Sequence, residues 1–245
     1  MTALLAAEAR RLLSTKIWLW ALIAAFGTGA FVALLALVGP QNFDPPMPGT
    51  DTPQGIQALL GMTGLLAFVP ALLGTTAVTS EYRHQTISCT YLFAPKRWTV
   101  LAAKLGVYGI GGLLYGLVAV TTAGAGIAAA TVVHGSSLGV PASTLVLLLA
   151  RIAALMAVYT LLGTAFGALL RNQVTALLTI GLYFYMGEPL LLLIPGVNAL
   201  YPFLPGGATS ALTGFTYLTD AVAQTGTTAT HLLSAPLGAL VLLGY

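Results

Sequence analysis

Long apolar runs separated by short polar segments organise this chain. Residues 17–38 carry no charge over more than the roughly 20 residues a helix needs to cross hydrocarbon, and Gly39-Pro40 closes the run. A second run, 56–79, is interrupted by Pro70. The third, 105–133, is rich in glycine, the fourth, 144–170, contains Arg151, and the fifth, 174–194, contains Glu188. A last run, about 229–245 and clearly apolar from His231, is short for a full crossing and no basic residue closes it. The pattern predicts six spans, the sixth clipped or barely emerging. No window alternates polar and apolar residues as a lipid-facing barrel strand does, so helices are left to satisfy the backbone in hydrocarbon.

Two flanking segments complete the prediction. In residues 2–16, Leu4, Leu5, Ala9, Leu12 and Leu13 fall on one helical face and Arg10, Arg11 and Ser14 opposite. This predicts an amphipathic helix lying in the headgroup layer; a solvated basic leader is the competing reading. Residues 195–228 are semi-apolar and hold Pro202, Pro205, Gly206 and Gly207, a composition that suits a re-entrant outer element better than a free loop. The fold class expected is therefore an all-α membrane protein with one transmembrane domain over residues 1–245.

Composition supports lipid as the solvent. The chain has 245 residues, 58% hydrophobic and 6% charged, against about 25% charged in a soluble domain. Mean hydropathy is +0.93. So few charges exclude a soluble globular enzyme. The net charge of +3 does not argue for nucleic acid, because the basic residues form no stripe. The single Cys89 excludes an internal disulfide framework. The first apolar run is too long for a signal peptide and no A-x-A-like site follows it. With the N-terminus inside, the inner segments hold Arg10, Arg11, Lys16, Arg83, Lys96, Arg97, Lys104 and Arg171, whereas the outer ones hold Asp44, Asp51 and Asp220 and no Lys or Arg. That asymmetry predicts a cytoplasmic N-terminus.

Catalytic signatures are absent. No H-E-x-x-H or G-x-S-x-G occurs, and His84, His134 and His231 lie apart without a second ligand at helical spacing. His134 beside Ser136 is the one hint of an intramembrane serine enzyme, and it falls in an outer loop. There is no G-x-x-x-x-G-K-[ST], so uphill work would draw on a partner or an ion gradient.

The segment 80–98 is the most informative stretch. It reads Ser80-Glu81-Tyr82-Arg83-His84-Gln85-Thr86-Ile87 and continues through Pro95-Lys96-Arg97-Trp98 toward Lys104. On a helix, Glu81, Gln85 and Ser88 share one row and Tyr82, Thr86, Cys89 and Phe93 another; Pro95 stops it. A compact polar helix at a membrane surface suits docking of a soluble partner, and an ordinary solvated loop is the plain alternative.

Glu81-Tyr82-Arg83-x-x-Thr86-Ile87, Pro95-x-Arg97 and Ala103-Lys104 resemble the ABC-2 type (type V) exporter permeases, above all the compact bacterial members of drug- and antibiotic-resistance operons. The motif covers about 81–104; in topology the likeness covers nearly the whole chain. The family often has Gly where this chain has Gln85, which puts the local turn or helix pitch in question. The resemblance implies a permease dimer, homo- or hetero-, in a bacterial plasma membrane. Each permease would bind a separate ATPase subunit that holds ATP and Mg, and this chain would hold no cofactor, metal or catalytic residue. It implies coupling roles for Glu81, Tyr82, Arg83, Thr86 and Ile87, and export of a hydrophobic or amphipathic drug, antibiotic or lipid. Arg97 and Lys104 stand at a membrane end, where anchoring to anionic headgroups is the competing account.

Two charges lie inside apolar runs, where each costs roughly 2.5–3.5 kcal/mol on insertion scales. Arg151 and Glu188 both fall toward the outer side, so they are expected either to pair, or, for Arg151, to snorkel outward, or to line a substrate path or gate. Gly187 and Pro189 flank Glu188 at a point where span five is expected to break. An ion-coupled secondary transporter using Arg151 and Glu188 is the alternative function, with no duplicated half to support it. Tyr183, Phe184 and Tyr185 either line a cavity or pack between helices. Gly112-x-x-x-Gly116 and Gly163-x-x-x-Gly167 predict close helix approach within the chain. Trp18, Trp20 and Trp98 are expected at the inner interface.

Overall fold

In the computed structural model, which describes residues 2–43, 47–93, 96–216, 219–220, 222 and 231–245, all regular structure is helical. Asp44 and Pro95, and much of 217–230, lie outside the described residues. Helix α1 spans Thr2–Ser14 and α2 Ile17–Val38. Helices α3 (Pro53–Leu65) and α4 (Phe68–Arg83) form the second run, and α5 (Ile87–Phe93) follows. Next come α6 (Arg97–His134) and α7 (Ala142–Leu170). The fifth run comprises α8 (Gln173–Leu182), a π turn over Tyr183–Gly187 and α9 (Glu188–Leu193). A short 3-10 turn over Pro40–Asn42, a 3-10 helix over Asn198–Phe203, α10 (Pro205–Thr213) and α11 (Ala235–Gly244) complete the described elements.

Five helical stretches, 17–38, 53–83, 97–134, 142–170 and 173–193, are long and apolar enough to cross a membrane. They match the first five predicted runs. The sixth is different: α11 has 10 residues and is about 15 Å long, half of a roughly 30 Å hydrocarbon core.

The packing order explains how these helices hold together. α6 lies between α2 and α7, α4 packs on the other side of α7, and α8 lies against α4. Small residues set the spacing. A Cβ on Gly163 would lie 2.8 Å from Ala71 Cα, and one on Gly116 would lie 2.7 Å from Ala153 Cα, so neither position has room for a side chain. Both glycine pairs therefore serve contacts within the chain, α6 on α7 and α7 on α4. Thr75 Oγ1 adds a 3.0 Å bond to the Gly163 carbonyl at this closest approach.

Two of these five stretches depart from regular helix, and proline causes each departure. Pro70 has no N–H for the Leu66 carbonyl four residues back, and its ring crowds that oxygen. The chain breaks at Leu66–Ala67, and the Val69 amide takes the Leu66 carbonyl instead at 3.0 Å. Pro189 likewise leaves the Tyr185 carbonyl without its α-helical donor. Here the helix widens rather than breaks, and the Glu188 amide bonds back to the Tyr183 carbonyl across a π turn. The expected interruption at Gly187-Pro189 is thus a bulge in a continuous helix.

Candidate functional site

The end of the bundle that carries most basic residues is built around a buried ionic cluster. Lys104, eight residues into α6, is 2% exposed; its Nζ lies 2.9 Å from Glu8 Oε2 and also pairs with Glu81 Oε1. Arg11 Nη1 bonds the same Glu81 oxygen, and Arg11 Nη2 donates to Thr86 Oγ1 at 3.1 Å. Two carboxylates and two cations thus tie α1, the end of α4 and the start of α6 together. Taking charges out of water costs several kcal/mol per ion, so the cluster holds only because each charge meets an opposite one.

This arrangement corrects three expectations. Lys104 does not reach headgroups; it is enclosed by its two glutamates. Arg11 does not belong to the solvent face of α1, because Leu4, Leu5, Glu8, Arg11 and Leu12 are the more covered row, with Glu8 at its centre. Glu81, expected to meet a partner surface, is 0% exposed and points into the cluster, with its Oε2 left unbonded. The sequence carried a signal for this: Glu8 is the one acidic residue of α1, four residues from Leu4 and Leu12, on the face that packs.

The rest of the 80–98 segment lies outward. α4 stops at Arg83 and a tight turn over His84–Thr86 separates it from α5, so the single helix expected through 80–93 is two helices. Gln85 forms the turn at φ +56. Arg83, His84, Gln85 and Thr86 are exposed, while Tyr82 and Ile87 are half-buried. Arg83 donates to Gln173 Oε1 at 3.1 Å, which links this segment to the start of α8. Trp98 is exposed beside it.

A second site lies deeper, where several irregular backbone features converge. The α3–α4 break, the π turn, the 3-10 helix and the N-terminus of α10 surround a cavity of about 230 Å³. Tyr159 of α7 stands roughly midway along its helix, which puts the cavity well inside the bundle. Its walls are largely aromatic, including Phe68, Tyr159, Phe184, Tyr185, Tyr201 and Phe215. Tyr185 packs edge-on against Phe68 with centroids 4.9 Å apart, and the Tyr159 hydroxyl bonds Thr209 Oγ1 at 2.9 Å. Glu188 lines this cavity, is 2% exposed, and accepts a 2.6 Å bond from the Gly206 amide at the start of α10. Its other oxygen, Oε1, has no hydrogen-bond partner.

Arg151 and Glu188 are not brought together. Arg151 lines a separate cavity with Leu155, Leu212, Pro236 and Leu243, between α7 and α11, and the ion pairs among the described residues include neither residue. Tyr185 lines the Glu188 cavity, whereas Tyr183 packs edge-on against Phe184 and turns its hydroxyl toward the Glu188 carboxylate. His134 bonds the Leu37 carbonyl at 3.0 Å at the opposite end of the bundle, where Ser136 lies beside it. Comparison with family models, curated proteins and solved structures returns no match to the chain.

Proposed function

We propose that the chain is the membrane-spanning subunit of an ATP-driven exporter of the ABC-2 type, worked by a separate ATPase that docks on the 80–98 segment. In this reading the basic end faces the cytoplasm of a bacterium, α11 belongs to a sixth crossing, and 195–228 form a re-entrant outer element. The carrying observation is the segment after α4: its polar side chains Arg83, His84 and Thr86 face outward while Glu81, one turn back, is locked among Arg11, Lys104 and Glu8. A surface element rooted in this way passes force into the bundle rather than flexing on its own. Arg83, Thr86, Ile87 and Tyr82 are the contact side chains, and Glu81 positions them. The permease pairs with a second copy or a related chain, and the ATPase supplies ATP and Mg. The cargo is hydrophobic or amphipathic, since the paths through the bundle are mostly apolar.

The test is reconstitution with a candidate ABC-type ATPase subunit. Ile87→Asp and Arg83→Glu are expected to weaken ATPase stimulation about tenfold, as loss of an interface contact worth about 1–2 kcal/mol does, with the variant's melting temperature unchanged. Stimulation and export that survive both changes end the proposal. So does uphill transport by the isolated chain in proteoliposomes driven by a proton or sodium gradient alone, which is the outcome an ion-coupled carrier requires. Among the described residues Arg151 and Glu188, the two charges that reading uses, line separate cavities and form no ion pair.

A further inference from the structure

We infer that the Glu188 cavity binds the protonated amine head of an amphipathic cation. The argument starts from an unmet need. Glu188 is buried, one oxygen is held by the Gly206 amide, and Oε1 has no partner. An unbonded buried carboxylate oxygen is costly, and natural structures keep such groups where a ligand, ion or water completes them.

The surroundings select the ligand class. The Tyr183 hydroxyl and the Gly206 amide face the carboxylate, and among the described residues no cationic side chain lines the cavity. A carboxylate without a counter-charge inside an apolar wall excludes anions and favours a cation. Phe68, Tyr159, Phe184, Tyr185, Tyr201 and Phe215 offer ring surfaces, which attract an ammonium through their negative faces. An ammonium N–H then donates to Oε1, and its alkyl or benzyl substituents rest on the rings.

Size sets how much of the molecule enters. The cavity holds about 230 Å³, below the roughly 300–1,000 Å³ of pockets that enclose a drug-sized ligand. It therefore takes a head group, and the rest of the ligand extends past Tyr185, which is 52% exposed at the rim. Backbone geometry agrees. Broken and bulged helices inside a membrane protein are tolerated where they line a cavity, and three such irregularities meet at this one.

This inference deepens the exporter reading by naming a cargo class, but binding is measured on the isolated chain, so the two fail separately. The purified protein in nanodiscs is titrated with tritiated N,N-dimethylbenzylamine, protonated in neutral buffer. Isobutylbenzene, its neutral carbon counterpart, and phenylacetate serve as competitors. Saturable binding is expected, displaced by neither competitor and weakened at least about tenfold by Glu188→Gln, the loss of about 1.4 kcal/mol. Glu188→Gln keeps an oxygen for the Gly206 amide, and its melting temperature reports whether it folds. A second measurement needs no variant: mass spectrometry of Glu188 labelling by dicyclohexylcarbodiimide in the wild-type chain, which saturating amine is expected to suppress. Absence of saturable binding, equal affinity in a folded Glu188→Gln protein, or labelling indifferent to the amine overturns the inference. Loss of ATPase coupling with amine binding intact would instead sink the exporter reading alone.

Discussion

Gln85 turns the chain between α4 and α5 at φ +56, a conformation that costs a side chain with a Cβ about 1–2 kcal/mol and costs glycine little. The resemblance had already marked this position as one where similar permeases often carry Gly, and the helical row drawn through Glu81, Gln85 and Ser88 could not hold once the turn was required. The residue-scale prediction follows. Gln85→Gly is expected to leave the melting temperature unchanged or raise it slightly, because strain relief and the added freedom of the unfolded glycine offset within about 1 kcal/mol. Gln85→Val is expected to lower it, through a loss of about 1–2 kcal/mol of stability, since a β-branched residue tolerates that φ worst. Thermal unfolding in detergent by circular dichroism checks both; equal melting of the Gly and Val variants would show that the turn is not held at positive φ. Glu8 and Lys104 were harder to read at this scale. Each is an isolated charge with its partner 96 positions away in the chain, and helical periodicity reports only neighbours on one helix.

At the scale of the element, the apolar runs were legible along the chain, and their regularity was not. Apolar length and the prolines were sufficient to place five long helices and to mark both irregular points, because hydrocarbon thickness and a missing N–H act locally. Whether a proline breaks a helix or widens it depends on what packs alongside, and that information is tertiary: Leu66–Ala67 opens beside Tyr185, while Tyr183–Gly187 stays continuous under α10. The glycine pairs were legible as close-packing motifs, and the structure supplies their partners. Gly163 is the tightest test of α7 against α4. Gly163→Leu is expected to destabilise the chain by more than about 3 kcal/mol and to abolish recovery of folded protein, measured by size-exclusion chromatography after extraction; a conservative Gly181→Ala, where nothing lies within 4 Å of the added carbon, should be neutral.

For the whole molecule, the balance between crossings and connections decides what the chain resembles. Five stretches are long enough to span, and α11 with its 10 residues falls short, which the apolar pattern had already flagged by the brevity of its last run. The largest long-range tie outside helix packing is the ionic cluster, which joins α1, α4 and α6 at one end. Lys104→Met removes the cation shared by Glu8 and Glu81 and leaves Glu8 buried without a partner. Loss of one member of a buried pair costs about 3–5 kcal/mol, so α1 is expected to detach, seen as rapid amide hydrogen exchange over residues 2–14. A Lys104→Met, Glu8→Leu, Glu81→Gln triple variant should recover much of that protection, because it removes the three buried charges together and leaves only the partly exposed Arg11, which is far cheaper than orphaning one buried charge. Protection unchanged in Lys104→Met would mean that apolar contacts alone hold α1.

The cluster also fixes what the exterior presents. That end of the protein owns eight basic residues and two acidic ones, Glu8 and Glu81, and both acids are spent indoors neutralising Arg11 and Lys104. Among the described residues, Arg10, Lys16, Arg83, Lys96 and Arg171 are exposed at this rim, and neither glutamate is left to balance them. In the exporter reading, a positive rim of this kind would draw acidic phospholipids to the same belt on which the ATPase would land, so the two would share or compete for that ground.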